Sequence, residues 1–271
     1  MTTEYASTGD PRRGIELLWG LREPARKGPK PRLSVERIAR AAIEIADAEG
    51  LAALSMRRVA ERLGVTAMSL YTYVPSKAEL LDVMLDTVYA EVTGRGDGDD
   101  EGGWRAKLAR VARENWALYR RHPWLLQVST RRPVLGPNLI AKYDRELSAV
   151  DGIGLTDVEM DLVVSLVSDY VHGAVRGAVQ ADALVERTGM TDEEWWRRAG
   201  PILAEVLEPE RYPLAARVGA AAGAEYGAAS DPERSFEFGL SILLDGIETL
   251  LRAKSATTAG HDSGAGTDAT S

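Results

Sequence analysis

Side chains that bind phosphates and nucleobases are concentrated between residues 55 and 77 of this 271-residue chain. The hydroxyl-bearing and cationic members of the set are Ser55, Arg57, Thr66, Ser69, Tyr71, Tyr73, Ser76 and Lys77. Hydroxyl, ammonium and guanidinium groups donate hydrogen bonds to phosphate oxygens, and a guanidinium can also bind both O6 and N7 of guanine. Ala67 and Met68 add small apolar surfaces that fit a thymine methyl group. These residue types suit contacts to double-stranded DNA when one surface carries them.

Two short helices joined by a tight turn are needed to position these side chains. Ser55 and Thr66 are suited to begin the helices as N-caps, and Gly64 permits a turn that a Cβ would resist. Ala60, four residues before Gly64, is small enough to let the helices approach closely. A shared apolar core is supplied by Val59, Leu63, Val65 and Leu70. The pattern is typical of a helix-turn-helix, which places its second helix in a DNA major groove.

Helical spacing assigns different roles to the residues of the second helix. It turns Ala67, Met68 and Tyr71 outward, where they can approach base edges. The hydroxyls of Ser69, Tyr71 and Tyr73 suit phosphate oxygens, although either tyrosine could instead close the small core. Because an aromatic ring with a polar tip can do both, we predict DNA contact for both tyrosines.

Cationic residues flank the second helix on either side. We predict that Arg57 reads a guanine, whereas its neighbour Arg58 faces solvent or an acidic partner. Lys77 follows Ser76 at the start of the next helix, where the pattern Ser76-x-x-Glu79 forms a capping box. The ammonium, the hydroxyl and the free amides of that helix start together predict a phosphate clamp.

The composition divides the chain into a basic and an acidic part. Residues 1–81 hold 13 Lys/Arg against 10 Asp/Glu, a net charge of +3, whereas residues 82–271 hold 20 against 31, a net charge of −11. A reader of specific DNA needs only a local basic face, so the overall charge of −8 is compatible with DNA binding. Cysteine is absent, no apolar run approaches the ~20 residues that cross a membrane, and no signal-peptide pattern is present. We therefore expect a cytoplasmic protein without a membrane partner.

Apolar residues at helical spacing continue through most of the chain, and no convincing strand alternation interrupts them. Beyond residue 104 they predict helices at 104–121, 123–131, 137–150, 155–186, 191–207, 211–226 and 232–253. We predict an all-α fold, with a three-helix helix-turn-helix domain followed by a larger helical domain. The expected segments are a flexible basic arm at 1–32, the helix-turn-helix domain at 33–81, a ligand-binding and dimerisation domain at 82–254, and a disordered tail at 255–271.

The second half of the predicted arm contains five cationic residues: Arg22, Arg26, Lys27, Lys30 and Arg32. They could reach phosphates or the minor groove, or they could belong to a solvated leader. The sequence favours neither alternative.

The segment 33–81 resembles the N-terminal DNA-binding domain of the TetR family of transcriptional regulators. The likeness depends on several features in order: AEG at 48–50, LSMRRVAERLGV at 54–65, Leu70-Tyr71 with a second aromatic at 73, and Ser76-Lys77 before ELL. The resemblance implies a homodimer in which each subunit places its third helix in one half of a palindromic operator. It also implies a helical C-terminal domain of the tetracycline-repressor-like type, which binds a small molecule and thereby releases the DNA. In most members of the family the action is repression.

Aromatic residues with a few polar neighbours in the C-terminal region suggest a small-molecule pocket. The candidate lining residues, each of which could also be an ordinary core residue, are Trp116, Tyr119, His122, Trp124, Gln127, Tyr143, Asp169, Tyr170 and His172. Two histidines without a clear third ligand do not predict a metal site, and we expect no cofactor. Small and apolar residues in the helices near 155–186 and 232–253 favour a four-helix dimer interface, although these helices could instead pack within one subunit.

No catalytic motif is recognised, since the chain has no cysteine nucleophile, P-loop, dinucleotide-binding glycine pattern or HExxH pair. We therefore predict a ligand-responsive DNA-binding regulator, in most such proteins a repressor, and not an enzyme. Two alternatives stay open: a helical ligand-binding or interaction module, and a DNA-binding protein that responds to no ligand.

Overall fold

The computed structural model describes residues 4–21, 33–93, 102–129 and 132–262, with side chains described as far as residue 256. Within these ranges the chain is almost entirely helical, which confirms the predicted all-α class. The α-helices are α1 (Pro11–Leu18), α2 (Val35–Glu49), α3 (Met56–Leu63), α4 (Ala67–Tyr71), α5 (Lys77–Thr93), α6 (Trp104–Arg121), α7 (Pro137–Ser148), α8 (Asp157–Thr188), α9 (Asp192–Val206), α10 (Pro213–Tyr226) and α11 (Pro232–Asp262). Short 3-10 helices span Leu51–Ala53 and Pro123–Gln127, and two short strands, β1 (Glu4–Tyr5) and β2 (Val128–Ser129), pair in parallel.

Helices α2, α3 and α4 form the N-terminal head, and each begins at a side-chain cap. Ser34, Ser55 and Thr66 each accept a hydrogen bond from the backbone amide three residues ahead. Gly64 ends α3 with φ of 67°, in the left-handed region that a side chain would strain. Leu70 is fully buried where the helices meet. The predicted helix-turn-helix is therefore present.

Helix α5 connects the head to the rest of the chain and is buried on nearly every side. Because α1, α2 and α7 all pack against it, its apolar residues do not form a single stripe. Three carboxylates are buried with them, since Glu79, Asp82 and Asp86 are only 5–6% exposed. Asp86 accepts hydrogen bonds from the backbone amides of Asn138 at 3.1 Å and Leu139 at 2.9 Å, and so caps the N-terminus of α7.

The C-terminal body has its own core, which is formed mainly by α6, α8 and α11. The inward face of α8 carries buried valines at helical spacing, among them Val164, Val167 and Val171. Trp116 of α6 stacks on Phe236 of α11 with ring centroids 4.3 Å apart. This packing explains why the apolar spacing of these three helices is recognisable in the sequence.

Helices α9 and α10 contribute no buried residue to either core. They contact each other, because the ring of Trp196 lies against Gly223, where even a Cβ would overlap it. Large apolar side chains of the pair are exposed, namely Trp195, Ile202, Leu203, Val206, Leu214 and Val218. Amphipathic helices normally bury an apolar face, so within the described residues this pair leaves such a face uncovered.

The predicted flexible arm at 1–32 contains ordered structure, which corrects the prediction. Strand β1 and helix α1 lie within it. Ala6, next to β1, is buried, and its amide donates to the carbonyl of Ser129 at 3.1 Å. That partner lies far along the chain, and local sequence patterns carry no signal of it. The five cationic residues between Arg22 and Arg32 lie outside the described residues.

Two other predicted boundaries also differ from the structure. The segment predicted as a helix at 123–131 is a 3-10 helix followed by β2, since pairing with β1 holds residues 128–129 extended. Helix α11 continues to Asp262, into the predicted disordered tail, because no proline follows Pro232 within it and Ser255 donates its hydroxyl to the carbonyl of Leu251 at 3.0 Å.

Candidate nucleic-acid interface and effector site

Helix α4 presents one face to solvent and buries the other in the head. Leu70 is fully buried, and Val74 just beyond the helix is buried with it. Met68 and Tyr71 are 75% and 43% exposed, and Ala67 lies partly buried beside them. The outward face therefore carries the side chains predicted to approach base edges.

The hydroxyl groups around α4 are ordered by local hydrogen bonds. Thr66 Oγ1 and Ser69 Oγ lie 2.9 Å apart, and Thr66 also accepts from the amide of Ser69. Ser55 Oγ caps α3 in the same way. Each hydroxyl keeps further bonding capacity, since it combines one donor with two acceptor positions. Tyr73 packs partly against the head core, whereas Tyr71 is exposed.

The two neighbouring arginines of α3 are held differently. The side chain of Arg57 is 87% exposed, and its Nε donates to Glu61 at 2.8 Å. The hydrogen bond to Glu61 raises the pKa of Arg57, which therefore keeps its charge. Arg58 donates from one nitrogen to both oxygens of Glu49 at 2.9 Å, so it has the acidic partner predicted for it.

Lys77, predicted as part of a phosphate clamp, is already paired within the chain. Its Nζ donates to Oε1 of Glu4 at 2.8 Å, and each side chain is about one third exposed. Ser76 Oγ donates to the Glu79 carboxylate and accepts from the amide of Ala78, so it caps the start of α5. The sequence predicted Ser76 as the cap of this helix, but it carried no signal for the Glu4 contact.

The predicted pocket residues fall into separate groups in the body. Trp116 and Tyr170 each stack on Phe236, with ring centroids 4.3 Å and 6.0 Å away. Tyr119 meets His172 edge-on at 5.6 Å. Burial, and to a lesser degree the charge of Arg176, lowers the pKa of His172.

The remaining predicted pocket residues lie elsewhere. His122 and Trp124 both bind Asp47 of α2, at 2.7 Å in each case, and the other ring nitrogen of His122 lies 3.0 Å from Glu91 of α5. Tyr143 is exposed and donates its hydroxyl to Asp161 at 2.7 Å. Gln127 ends the second 3-10 helix, and Asp169 is exposed on α8. His122 and Trp124 thus join the head to the body.

A buried polar cluster in the body was missed by the sequence reasoning. Glu146 of α7 accepts from Asn115 of α6 at 2.8 Å and from Lys142, and all three are buried. The ammonium of Lys142 lies 5.6 Å from the centre of the Tyr89 ring, and burial raises the pKa of Tyr89 to about 12. Lys142 and Glu146 are four residues apart, a spacing visible in the sequence, but such pairs are usually exposed.

A surface groove of about 430 Å³ lies between α6 and α11, and none of the predicted pocket residues lines it. Its walls include Arg113 and Glu237, which pair at 2.6 Å, together with Leu240 and Leu244. Within the described residues, no group of three or more potential metal-ligating His, Cys, Asp or Glu side chains is found. No described helix is long and apolar enough to cross a membrane.

Comparison with known families matches both parts of the chain. Residues 32–84 match the family described as bacterial regulatory proteins, tetR family. Residues 97–251 match the tetracyclin repressor-like C-terminal domain. The HTH-type transcriptional repressor DrrR1 of Streptomyces coeruleorubidus is 45% identical over 95% of this chain and 93% of its own length. The HTH-type transcriptional repressor Rv1353c of Mycobacterium tuberculosis is 27% identical over 86% of this chain and 87% of its own.

Solved structures show the same arrangement of helices. Apo ActR from Streptomyces coelicolor covers 84% of this chain and all (100%) of its own, with a TM-score of 0.64 and 27% sequence identity. ActR in complex with actinorhodin covers 83% of this chain and 99% of its own, with the same TM-score of 0.64 and 27% identity. The chain therefore belongs to the tetR family of bacterial regulatory proteins and is a DNA-binding transcriptional regulator.

Proposed function

We propose that the protein represses transcription as a homodimer that places one α4 helix in each half of a palindromic operator and is released by a small molecule. The observation that carries this proposal is the two-sided character of α4. Leu70 fixes the helix in the head, while Met68 and Tyr71 are 75% and 43% exposed beside it. An exposed apolar side chain and an exposed aromatic with a polar tip suit a base edge and its flanking phosphate.

The other head residues have roles that follow from their positions. Ala67 permits close approach of α4 to the groove, and Arg57 extends from α3 to bind a guanine, exchanging its bond to Glu61 for one to the base. The hydroxyl and ammonium groups bind phosphates; these belong to Ser55, Thr66, Ser69, Tyr73, Ser76 and Lys77. Tyr73 combines this contact with its packing against the head core.

Two helices of the body offer a surface for a second subunit. Val158, Leu162 and Leu166 recur every four residues along α8 and are 69%, 60% and 51% exposed. On α11, Phe238 and Ile242 are 69% and 57% exposed, again four residues apart. Apolar stripes on two helices per subunit support a four-helix interface, because a contiguous exposed apolar patch usually marks an interaction site.

The effector site is proposed around Tyr119, where predicted pocket residues and the missed polar cluster converge. Burial raises the pKa of Tyr119, and the nearby charges of Glu146 and Asp169 also act on it. His172 lies against its ring, and Asn115 binds the same Glu146. A few polar groups among apolar walls are typical of small-molecule sites. The ActR structure in complex with actinorhodin supports actinorhodin as the first ligand to test.

The experiment combines operator selection with competition binding. DNA bound by the protein is selected from random duplexes, and the enriched palindrome is then tested in a mobility-shift assay against random competitor. We expect at least about a 10³-fold preference for the palindrome, and release of the DNA when the effector is added. Equal competition by random duplex would contradict the proposed operator binding, whereas specific binding that no small molecule relieves would contradict ligand release only.

A further inference from the structure

Residues 4–21, here called the N-terminal strap, are fastened to the body. Strand β1 pairs with β2, and the amide of Ala6 donates to the carbonyl of Ser129 at 3.1 Å. Ser7 Oγ donates to the carbonyl of Pro133 at 3.2 Å, and Trp19 Nε1 donates to that of Leu135 at 2.9 Å. Three backbone carbonyls, one in β2 and two in the segment that follows it, thus hold the strap in place.

The strap is also fastened to α5, the helix that leaves the head. The amide of Ser7 donates to Oδ1 of Asp82 at 2.8 Å, and Asp82 is only 6% exposed. Ser7 has φ of 52°, a left-handed conformation that costs energy for a residue with a Cβ and persists where the surroundings enforce it. Gly9 lies so close to the Glu79 carboxylate that an added Cβ would approach it to 3.0 Å. The start of the strap is therefore held in one position.

Glu4 lies three residues before this anchor and reaches Lys77 at the first residue of α5. Its carboxylate accepts from Lys77 Nζ at 2.8 Å, beside the helix N-terminus where the phosphate clamp was predicted. A carboxylate and a phosphate offer the same kind of anionic oxygen to an ammonium group. Because the strap fixes Glu4, the entropy cost of ordering its side chain beside Lys77 is already included in the folding of the protein.

We propose that Glu4 is an intramolecular competitor of the operator phosphate for Lys77, held in place by the N-terminal strap. The inference rests on the proposed function, because it requires Lys77 to contact DNA. The Glu4 carboxylate already neutralises part of the Lys77 charge and repels an incoming phosphate, so the pair lowers operator affinity. The pair is partly exposed, at 35% and 34% for the two side chains, so the effect is modest in size.

A double-mutant cycle measures this competition in the full-length protein. Glu4→Gln removes the competing charge and keeps the shape, and we expect operator affinity to rise about two- to fivefold at low salt. The gain should shrink as salt rises, because ions screen a partly exposed pair. Lys77→Gln should weaken operator binding, and adding Glu4→Gln to that variant should then change nothing.

Glu16→Gln provides the matched control, since Glu16 lies in the same strap but pairs with Arg12 at 3.0 Å. It removes the same charge and should leave operator affinity within twofold of the parent. Equal gains from Glu4→Gln and Glu16→Gln, or a gain from Glu4→Gln that persists without Lys77, would overturn the inference by showing a general charge effect. Unchanged affinity of Lys77→Gln would instead remove the phosphate contact assigned to Lys77 in the proposed function.

Discussion

Replacing Gly136 by alanine is expected to destabilise the protein through a contact between α5 and α7. Gly136 is the residue before α7, and an added Cβ would overlap the carboxyl group of Asp86. Asp86 is 5% exposed and accepts from the amides of Asn138 and Leu139 at 3.1 Å and 2.9 Å, and from the side-chain amide of Asn138 at 3.0 Å. The alanine methyl group would occupy the space of the carboxyl group that accepts these three hydrogen bonds, so either the backbone or the Asp86 side chain must move.

The magnitude follows from the two ways in which the site can respond. If the backbone shifts and the bonds survive, overpacking costs about 1–3 kcal/mol. If Asp86 turns away, hydrogen bonds to a charged group are lost at about 1.5–3 kcal/mol each, partly recovered from water. We therefore expect the free energy of unfolding to fall by about 2–4 kcal/mol. Urea denaturation followed by far-ultraviolet circular dichroism, at one fixed protein concentration, measures this change.

Gly103→Ala is the matched control for this substitution. Gly103 precedes α6 as Gly136 precedes α7, their φ angles are −70° and −92°, and no atom of the described residues lies within 4 Å of an added Cβ at Gly103. Both variants carry the same intrinsic cost of placing alanine at the residue before a helix, which lowers the free energy of unfolding by less than about 1 kcal/mol. Equal destabilisation by the two variants would refute the steric reasoning. A further check is Asp86→Ala combined with Gly136→Ala, which should destabilise less than the sum of the single changes.

Three other predictions concern DNA binding, assembly and pH. Tyr71→Ala should weaken operator binding about tenfold in a mobility-shift assay while the dimer persists, since the removed ring is exposed; dissociation into monomers would instead assign Tyr71 a packing role. Leu162→Glu, which puts a charge on the 60% exposed face of α8, should convert the dimer to monomer in analytical ultracentrifugation, whereas Arg40→Glu on the 72% exposed side of α2 in the head should not; an unchanged dimer would exclude the α8 face. Because burial lowers the pKa of His172 below 6.5, the folded state disfavours its protonation, so stability should fall as the pH drops below about 6.5. His172→Asn should flatten this dependence in urea titrations at pH 7.5 and 5.5, and an unchanged slope would contradict the assignment.

The head could be predicted from the sequence because its signals are local. Ser55, Thr66 and Gly64 act within three or four residues of themselves, as caps and as a turn, and the structure has them in those roles. The exposure of Met68 follows from helical spacing alone once Leu70 is placed in the core. Short-range rules of this kind need no knowledge of the rest of the fold.

The contacts that join the parts of the molecule could not be predicted in this way. Asp82 binds Ser7, and Glu146 binds Asn115, across sequence separations of 75 and 31 residues. The apolar spacing predicted the helices of the body but not which of their polar groups meet, so the pocket prediction combined residues that the structure separates. His122 illustrates this, since it was predicted in a pocket and lies instead between α2 and α5.

The position of α9 and α10 outside both cores has an evolutionary consequence. Substitutions on their exposed apolar faces remove no packing from the head or from the core of the body, since neither helix contributes a buried residue. Folding therefore selects only weakly against mutations at these positions. Descendants of one ancestral regulator can thus diverge in these two helices while they continue to read the same operator.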